Sequence, residues 1–101
     1  MPRPFEMLYV IAYDLPSTRE GDRRRARIAK HLAGRGLRVQ GSVFEIPLMP
    51  EKLPVLIEEL RSLVEEDADS VRVYPLCAAC EQMIERIGID APIEREDLIV
   101  W

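Results

Sequence analysis

Cysteine and histidine are scarce in this sequence, which has two cysteines and one histidine in 101 residues. Two cysteines do not make a disulfide framework. His31 is the only imidazole that could activate Ser42, and nothing in the sequence places the two together, so a serine nucleophile is not supported. One histidine and one cysteine pair also fall short of a structural zinc site within a single chain.

Long apolar runs are missing as well. The longest continuous one, from Met7 to Tyr13, has seven residues, too few to cross a bilayer. No apolar stretch of signal-peptide length precedes Glu6, and neither a P-loop nor a dinucleotide-binding glycine pattern occurs. We therefore expect a cytoplasmic protein without membrane association, folded as one domain over residues 1–101.

Charge of both signs is plentiful but unevenly distributed. Residues 1–50 carry nine Arg or Lys and five Asp or Glu, whereas residues 51–101 carry five and thirteen, for a formal net charge of −4. An acidic protein therefore contains a basic half. Because the local field governs encounter with a charged partner, the overall charge does not exclude a polyanion such as a nucleic acid.

Hydrophobic periodicity divides the chain into alternating strands and helices. The expected elements are a strand over 7–13, a helix capped by Asp22 and ending at Gly34 or Gly36, one kinked or two short strands over 37–46, a helix over 53–64, a strand over 70–76, a short helix over 78–87 and a terminal strand over 97–101. This order predicts an α+β fold, a ferredoxin-like split βαβ sandwich with an additional C-terminal strand. Residues 1–6 are expected to form a flexible tail. Residues 93–101 are expected to pair across a homodimer, because a terminal strand needs a sheet edge.

Asp14 ends the first apolar strand and is the first candidate for chemistry. A carboxylate held by a rigid strand at the rim of a sheet suits a metal ligand or a general base. Alternatively, Asp14 only forms a turn before Pro16. One carboxylate is a poor Mg²⁺ site, although Glu45 could lie near it, and a two-fold axis could bring two copies of Asp14 together around one ion.

Arginines crowd the first predicted helix. Four of them, Arg23, Arg24, Arg25 and Arg27, fall within five positions, and Lys30, Arg35 and Arg38 follow. Arginine binds phosphate through its planar fork. No aromatic residues are interleaved with the cluster, which favours backbone contact over the reading of bases. The alternative is a solvated helix face paired with acidic neighbours.

Cys77 and Cys80 form a single CxxC motif between the predicted strand over 70–76 and the helix that follows. The motif has three interpretations. It provides two small apolar residues at the start of a helix, a redox dithiol at a strand-to-helix junction, or half of a zinc site completed across a dimer. The first is the simplest interpretation for a cytoplasmic protein.

Several segments taken together resemble one known family. Tyr13-Asp14 closes an apolar first strand, an Arg-rich helix follows, and then come the stretches Arg38-Val39-Gln40-Gly41-Ser42-Val43-Phe44-Glu45 and Val71-Arg72-Val73-Tyr74-Pro75-Leu76. At this spacing, and over nearly the whole chain, the sequence resembles CRISPR-associated protein two. Members of that family are small ferredoxin-like proteins of the spacer-adaptation module.

The resemblance implies a homodimer with Asp14 as the catalytic residue and as ligand of one Mg²⁺ shared between protomers. It implies endonuclease activity on single-stranded RNA or double-stranded DNA, and a dimer that holds duplex DNA and bridges two dimers of a CRISPR-associated integrase. The positions linked to nucleic acid are Arg25, Arg27, Arg38, Ser42 and Phe44, with additional backbone contacts from Arg23, Arg24 and Lys30. A non-catalytic duplex-binding scaffold and a ferredoxin-like regulatory module are the alternatives.

Overall fold

The computed structural model describes residues 5–89, and their elements follow the βαββαβ order of a split βαβ sandwich. They are β1 (Met7–Asp14), α1 (Arg19–Leu32), β2 (Leu37–Gln40), β3 (Val43–Leu48), α2 (Leu53–Leu63), β4 (Ser70–Leu76) and a short α3 (Ala78–Glu81), with a 3₁₀ turn over Pro50–Lys52 before α2. The strands form one antiparallel sheet in the order β2-β3-β1-β4, which confirms the predicted ferredoxin-like α+β class. The expected strand over 93–101 and the first part of the expected tail lie outside the described residues. Between residues 5 and 89, no helix is long and apolar enough to cross a membrane.

The core lies between one face of the sheet and the two long helices. Ile11 and Tyr13 of β1 are buried on this face together with Phe44 of β3. They pack against side chains of α1 and α2, namely Ile28, Ala29, Leu32, Leu56 and Leu60. Since side chains alternate along a strand, the opposite face of β1 presents Val10, Ala12 and Asp14. We call that side of the sheet the open face.

The first helix begins earlier than was predicted from the sequence. Its N-cap is Thr18, not Asp22, and the Thr18 hydroxyl accepts a hydrogen bond from the Gly21 amide at 3.0 Å. Asp22 lies in the first turn instead, where a negative charge favours the helix N-terminus. Gly21 resembles a loop residue in the sequence, yet a Cβ there would lie 2.0 Å from the Pro16 carbonyl oxygen. The glycine is required by this close approach and does not mark the end of a loop.

The end of α1 and the strands that follow fall within the alternatives that the sequence left open. Helix α1 ends at Leu32, and Gly34 has a positive φ of 84° in the turn that follows. The stretch over 37–46 is two strands joined by a turn at residues 41–42, which answers the question that the sequence left open.

The last helix was predicted to continue to residue 87 but ends at Glu81. Met83 and Ile87, which were expected to pack along it, are 77% and 96% exposed. A helix gains most of its stability from packing an apolar face against the rest of the protein. With these side chains exposed, the longer helix has no such support.

Arg24 fixes the orientation of α1 against the loop that precedes β4. Its Nε and Nη2 atoms donate to the two carboxylate oxygens of Asp69 at 2.6 and 2.9 Å. The Asp69 side chain is 0% exposed and also accepts a hydrogen bond from the Glu65 amide at 2.9 Å. These hydrogen bonds, above all the one from Arg24, hold the pKa of Asp69 below its usual value.

Replacing Asp69 with Asn should lower the stability of the fold in a pH-dependent way. Because the native pKa is lowered, the ionised carboxylate stabilises the fold above its unfolded-state pKa of about 3.9, and this contribution is lost as the pH falls through the native value. We expect Asp69→Asn to melt several degrees below wild type at neutral pH, with the difference shrinking in acid. Thermal melts followed by circular dichroism measure this difference.

Asp67→Asn is the matched control, because Asp67 is exposed in the same loop. It should melt like wild type at every pH. A melting difference for Asp69→Asn that stayed constant into acid would show that the ionised carboxylate is not what stabilises the loop.

Candidate nucleic-acid interface

Asp14 is the last residue of β1 and stands at the rim of the sheet. It pairs with Ser70, the first residue of β4, and its exposed side chain belongs to the open face. Within residues 5–89, no hydrogen bond or ion pair engages its carboxylate. Both carboxylate oxygens are therefore available to a ligand.

The turn between β2 and β3 lies beside this end of β1. The Tyr13 amide donates to the Ser42 carbonyl at 3.1 Å, and the Tyr13 hydroxyl donates to the Gly41 carbonyl at 3.3 Å. Arg38 donates to the same Gly41 oxygen from Nε and Nη2, at 3.0 and 2.6 Å. The structure thus brings the predicted residues Arg38 and Ser42 to the end of the sheet that carries Asp14.

Glu45 does not lie beside Asp14, contrary to one expectation from the sequence. It pairs with Val10 of β1, four residues before Asp14. At about 3.3 Å per residue, the two backbone positions are roughly 13 Å apart along the strand. Glu45 is therefore not a second ligand next to Asp14 in the same chain.

Phe44 lies beneath Arg38, inside the core. Its ring centroid is 5.5 Å from the guanidinium carbon of Arg38, a cation–π distance, and the residue is 1% exposed. The Tyr13 ring stacks on it with centroids 6.4 Å apart. The Phe44 ring packs against the Arg38 guanidinium. Its direct contact with nucleic acid stays a prediction.

The arginine cluster of α1 divides into two groups, of which the first faces inward. Arg24 is held by the buried carboxylate described above. Arg25 donates to Asp22 at 2.6 Å and to the carbonyl oxygens of Leu15 and Pro16 at 2.8 and 3.2 Å. Arg25 therefore fastens the loop between β1 and α1, and its predicted contact with nucleic acid is untested.

The second group forms a row along the outer surface of α1. Its members are Arg19, Arg23, Arg27 and Lys30, which we call the outer basic row. Their spacing places them on one helix face, opposite the buried stripe, over a length of about 17 Å. All four are exposed, and in the part of the chain that the structure describes none has an ion pair or a hydrogen-bonded side chain.

Arg19 was not predicted as a member of the basic cluster, because the helix was expected to begin at Asp22. Thr18, a good N-cap residue, was the signal that could have included it. Arg72 was missed for a different reason. It pairs with Ala12, two residues before Asp14, and so it lies on the open face beside the predicted site, with Nη1 3.2 Å from the Tyr74 hydroxyl. Only the strand register places it there.

The structure does not bring Asp14 and the outer basic row together within one chain. Asp14 belongs to the open face, whereas α1 covers the opposite face and directs its basic row away from the sheet. Among residues 5–89, no three Asp, Glu, His or Cys side chains cluster as metal ligands. Mg²⁺ commonly binds through one or two carboxylates completed by water and phosphate, and Asp14 fits such a site as one of them.

Comparisons with known proteins agree with this geometry. The family model for CRISPR associated protein Cas2 matches residues 7–84. A relative from Chloroflexus aurantiacus, named CRISPR-associated endoribonuclease Cas2 1, is 43% identical over 89 residues, which cover 87% of this chain and 91% of the relative. A relative from Halalkalibacterium halodurans, named CRISPR-associated endonuclease Cas2, is 38% identical over 96 residues, which cover 94% of this chain and 100% of the relative.

A solved structure agrees as well. The crystal structure of Streptococcus pyogenes Cas2 at pH 6.5 superposes with a TM-score of 0.73 at 31% identity, covering 81% of this chain and 100% of that one. The family match spans most of the chain, and the relatives are matched over nearly their whole length. The resemblance seen in the sequence is confirmed, and the chain belongs to the Cas2 family of CRISPR-associated proteins.

Proposed function

We propose that this protein acts in CRISPR spacer adaptation as a homodimer that binds nucleic-acid backbones and cleaves phosphodiester bonds with the help of Mg²⁺. The observation that carries the cleavage role is the Asp14 carboxylate, exposed at the end of an otherwise apolar strand. The names of the relatives, endoribonuclease and endonuclease, support RNA or DNA as the substrate. The proposed partner in adaptation is a CRISPR-associated integrase, whose dimers the protein would bridge.

Asp14 of each protomer would hold one shared ion. A divalent cation at such a site supplies an activated water and stabilises the leaving oxygen. The rigid β1 strand fixes the position of the carboxylate, which a ligand to a reacting centre requires. Arg72 places a positive charge on the same face, where it can bind a phosphate oxygen of the substrate.

The open face supports the dimer. It carries Tyr74, which is 46% exposed, beside half-buried Val10. Exposed apolar side chains at Met83, Ile87 and Ile89 follow in the segment after α3. A self-complementary interface formed by the same face of two copies would cover this apolar surface and bring both Asp14 residues to the interface.

A non-catalytic role in binding duplex DNA is the second candidate, and the outer basic row favours it. Each of its four cations lacks a protein partner between residues 5 and 89. Cations that contact phosphates release bound counterions, which makes the affinity strongly dependent on salt. Because the row lies away from Asp14, duplex binding does not need the carboxylate.

Charge placed on the open face should weaken the dimer. Tyr74→Glu would replace an aromatic ring with a carboxylate that must lose its water at the proposed interface, which is unfavourable even with Arg72 beside it. We expect light scattering to show a dimer for wild type and a monomer for Tyr74→Glu at the same micromolar concentration. Val55→Glu is the matched control, because Val55 is 61% exposed on α2, away from the open face. A Tyr74→Glu variant that remained dimeric would exclude this face as the interface.

Removing two cations of the outer basic row should weaken duplex binding mainly at low salt. Arg23 and Arg27 are the residues to replace with Ala, since Arg25 is engaged in the loop before α1. If both contact phosphates, the slope of log K against log salt should fall by about 2, at about 0.9 per contact. The control double variant replaces Lys52 and Arg61 with Ala. These residues are exposed in the 3₁₀ turn before α2 and in α2 itself. An unchanged slope for Arg23→Ala/Arg27→Ala would remove the row from the interface.

Asp14→Asn should abolish metal-dependent cleavage and keep the fold. We expect the rate on single-stranded RNA or duplex DNA with Mg²⁺ to fall by about a hundredfold or more, because the variant would lose a ligand of the ion that activates water. Chelator should bring wild type to the level of the variant, and duplex binding should persist in Asp14→Asn. Asp67→Asn serves as control. Equal cleavage by wild type and Asp14→Asn would remove Asp14 from catalysis, and duplex binding would stand as the function.

A further inference from the structure

We propose that Cys77 and Cys80 form a redox-active dithiol that closes to an intrachain disulfide by exchange with a low-molecular-weight disulfide such as glutathione disulfide. The motif has no part in the function proposed above, and this inference does not depend on that function. It follows from the position of the two cysteines, their exposure and the hydrogen bond that the Cys77 sulfur accepts from the Cys80 amide.

The two cysteines lie one helical turn apart at the junction of β4 and α3. Cys77 directly follows the end of β4 and caps α3, and its Sγ accepts a hydrogen bond from the Cys80 amide at 3.4 Å. The Cys77 sulfur therefore already lies against the backbone of Cys80 in the reduced protein, which lowers the conformational cost of joining the two side chains.

Exposure separates the three interpretations that the sequence allowed. Both cysteines are free thiols with exposed side chains. The pair does lie at the start of a helix, as the first interpretation expects, but its thiols are open to solvent and to small disulfides. No third metal-ligating side chain joins the pair among residues 5–89. A strand-to-helix junction with two accessible thiols is the arrangement that a dithiol redox motif requires.

The two thiols are not equivalent. Hydrogen bonds from the Cys80 amide and then from the Cys80 thiol lower the pKa of Cys77. The same thiol–thiol hydrogen bond raises the pKa of Cys80. Since the thiolate is the nucleophile, Cys77 is the residue that attacks an incoming disulfide, and Cys80 is the residue that resolves the product.

The exchange proceeds in two steps that balance. The Cys77 thiolate attacks one sulfur of glutathione disulfide, forming a mixed disulfide and releasing one glutathione thiolate. The Cys80 thiolate then attacks Sγ of Cys77, forming the intrachain disulfide and releasing the second glutathione. The protein loses two electrons and two protons, and one glutathione disulfide is reduced to two molecules of glutathione.

The effect of oxidation should be local. Helix α3 contributes no buried residue, and the disulfide would close a short ring, so the core should keep its stability. The segment that follows α3 runs beside the open face, where Ile84 and Arg86 line a groove with Val43 and Glu45. Oxidation of the dithiol would therefore change the conformation of a segment that lies next to the open face.

The test is to equilibrate the reduced, folded protein in glutathione buffers of stepped ratio and to count thiols by maleimide labelling and intact mass. We expect wild type to pass from two labelled thiols to none, with a mass lower by two hydrogens, no persistent glutathione adduct and no disulfide-linked dimer. Cys80→Ser should stop at a glutathione adduct on Cys77. Cys77→Ser should react more slowly than Cys80→Ser, because only the Cys77 sulfur accepts the hydrogen bond from the Cys80 amide that stabilises a thiolate.

Circular dichroism of both Ser variants confirms that they fold. Two stable glutathione adducts on wild type, or disulfide-linked dimers in place of the intrachain disulfide, would overturn the proposal. Equal rates for Cys77→Ser and Cys80→Ser would overturn the assignment of Cys77 as the attacking residue.

Discussion

The paired hydrogen bonds between Arg24 and Asp69 hold α1 in the orientation on which the proposed interface depends. They join α1 to the loop that leads into β4. Together with the buried Ile28 and Leu32, they fix which side of α1 faces the sheet. The outer basic row points to solvent as a consequence, because Ile28 and Leu32 on the other side of the helix are buried and Arg24 is bound to Asp69.

This geometry gives a single chain two separate chemical surfaces. The carboxylate of Asp14 and the guanidinium of Arg72 share the open face, while the outer basic row occupies the opposite side of the domain. Under the proposed function, binding and cleavage could therefore be altered independently by substitution. A second copy matters for the proposed Asp14 site, which would use two carboxylates, and not for the proposed binding row, which lies within one chain.

The parts of the fold that could be predicted from the sequence are those that depend on short-range patterns. The apolar run of β1 and the helical periodicity of apolar residues in α2 predicted these two elements directly. The predicted start of α1 was wrong because Asp22 was taken as the N-cap, whereas Thr18 caps the helix and Gly21 lets the Pro16 carbonyl approach it. Such a contact joins two segments, so the local sequence does not show it. The place of Arg72 next to Asp14 depends on the pairing of β4 with β1, which is also non-local.

The contacts of two residues in the first helix, Arg24 and Arg25, require arginine and not lysine. Arg24 binds both oxygens of one carboxylate, and the guanidinium of Arg25 reaches one carboxylate and two carbonyl oxygens. The planar fork of arginine suits such contacts, and a lysine ammonium cannot reproduce that two-atom geometry. Half of the cluster therefore makes contacts within the protein, while Arg23 and Arg27 face solvent. The register of the arginines on the helix, and not their number, decides which of them present their charge outward.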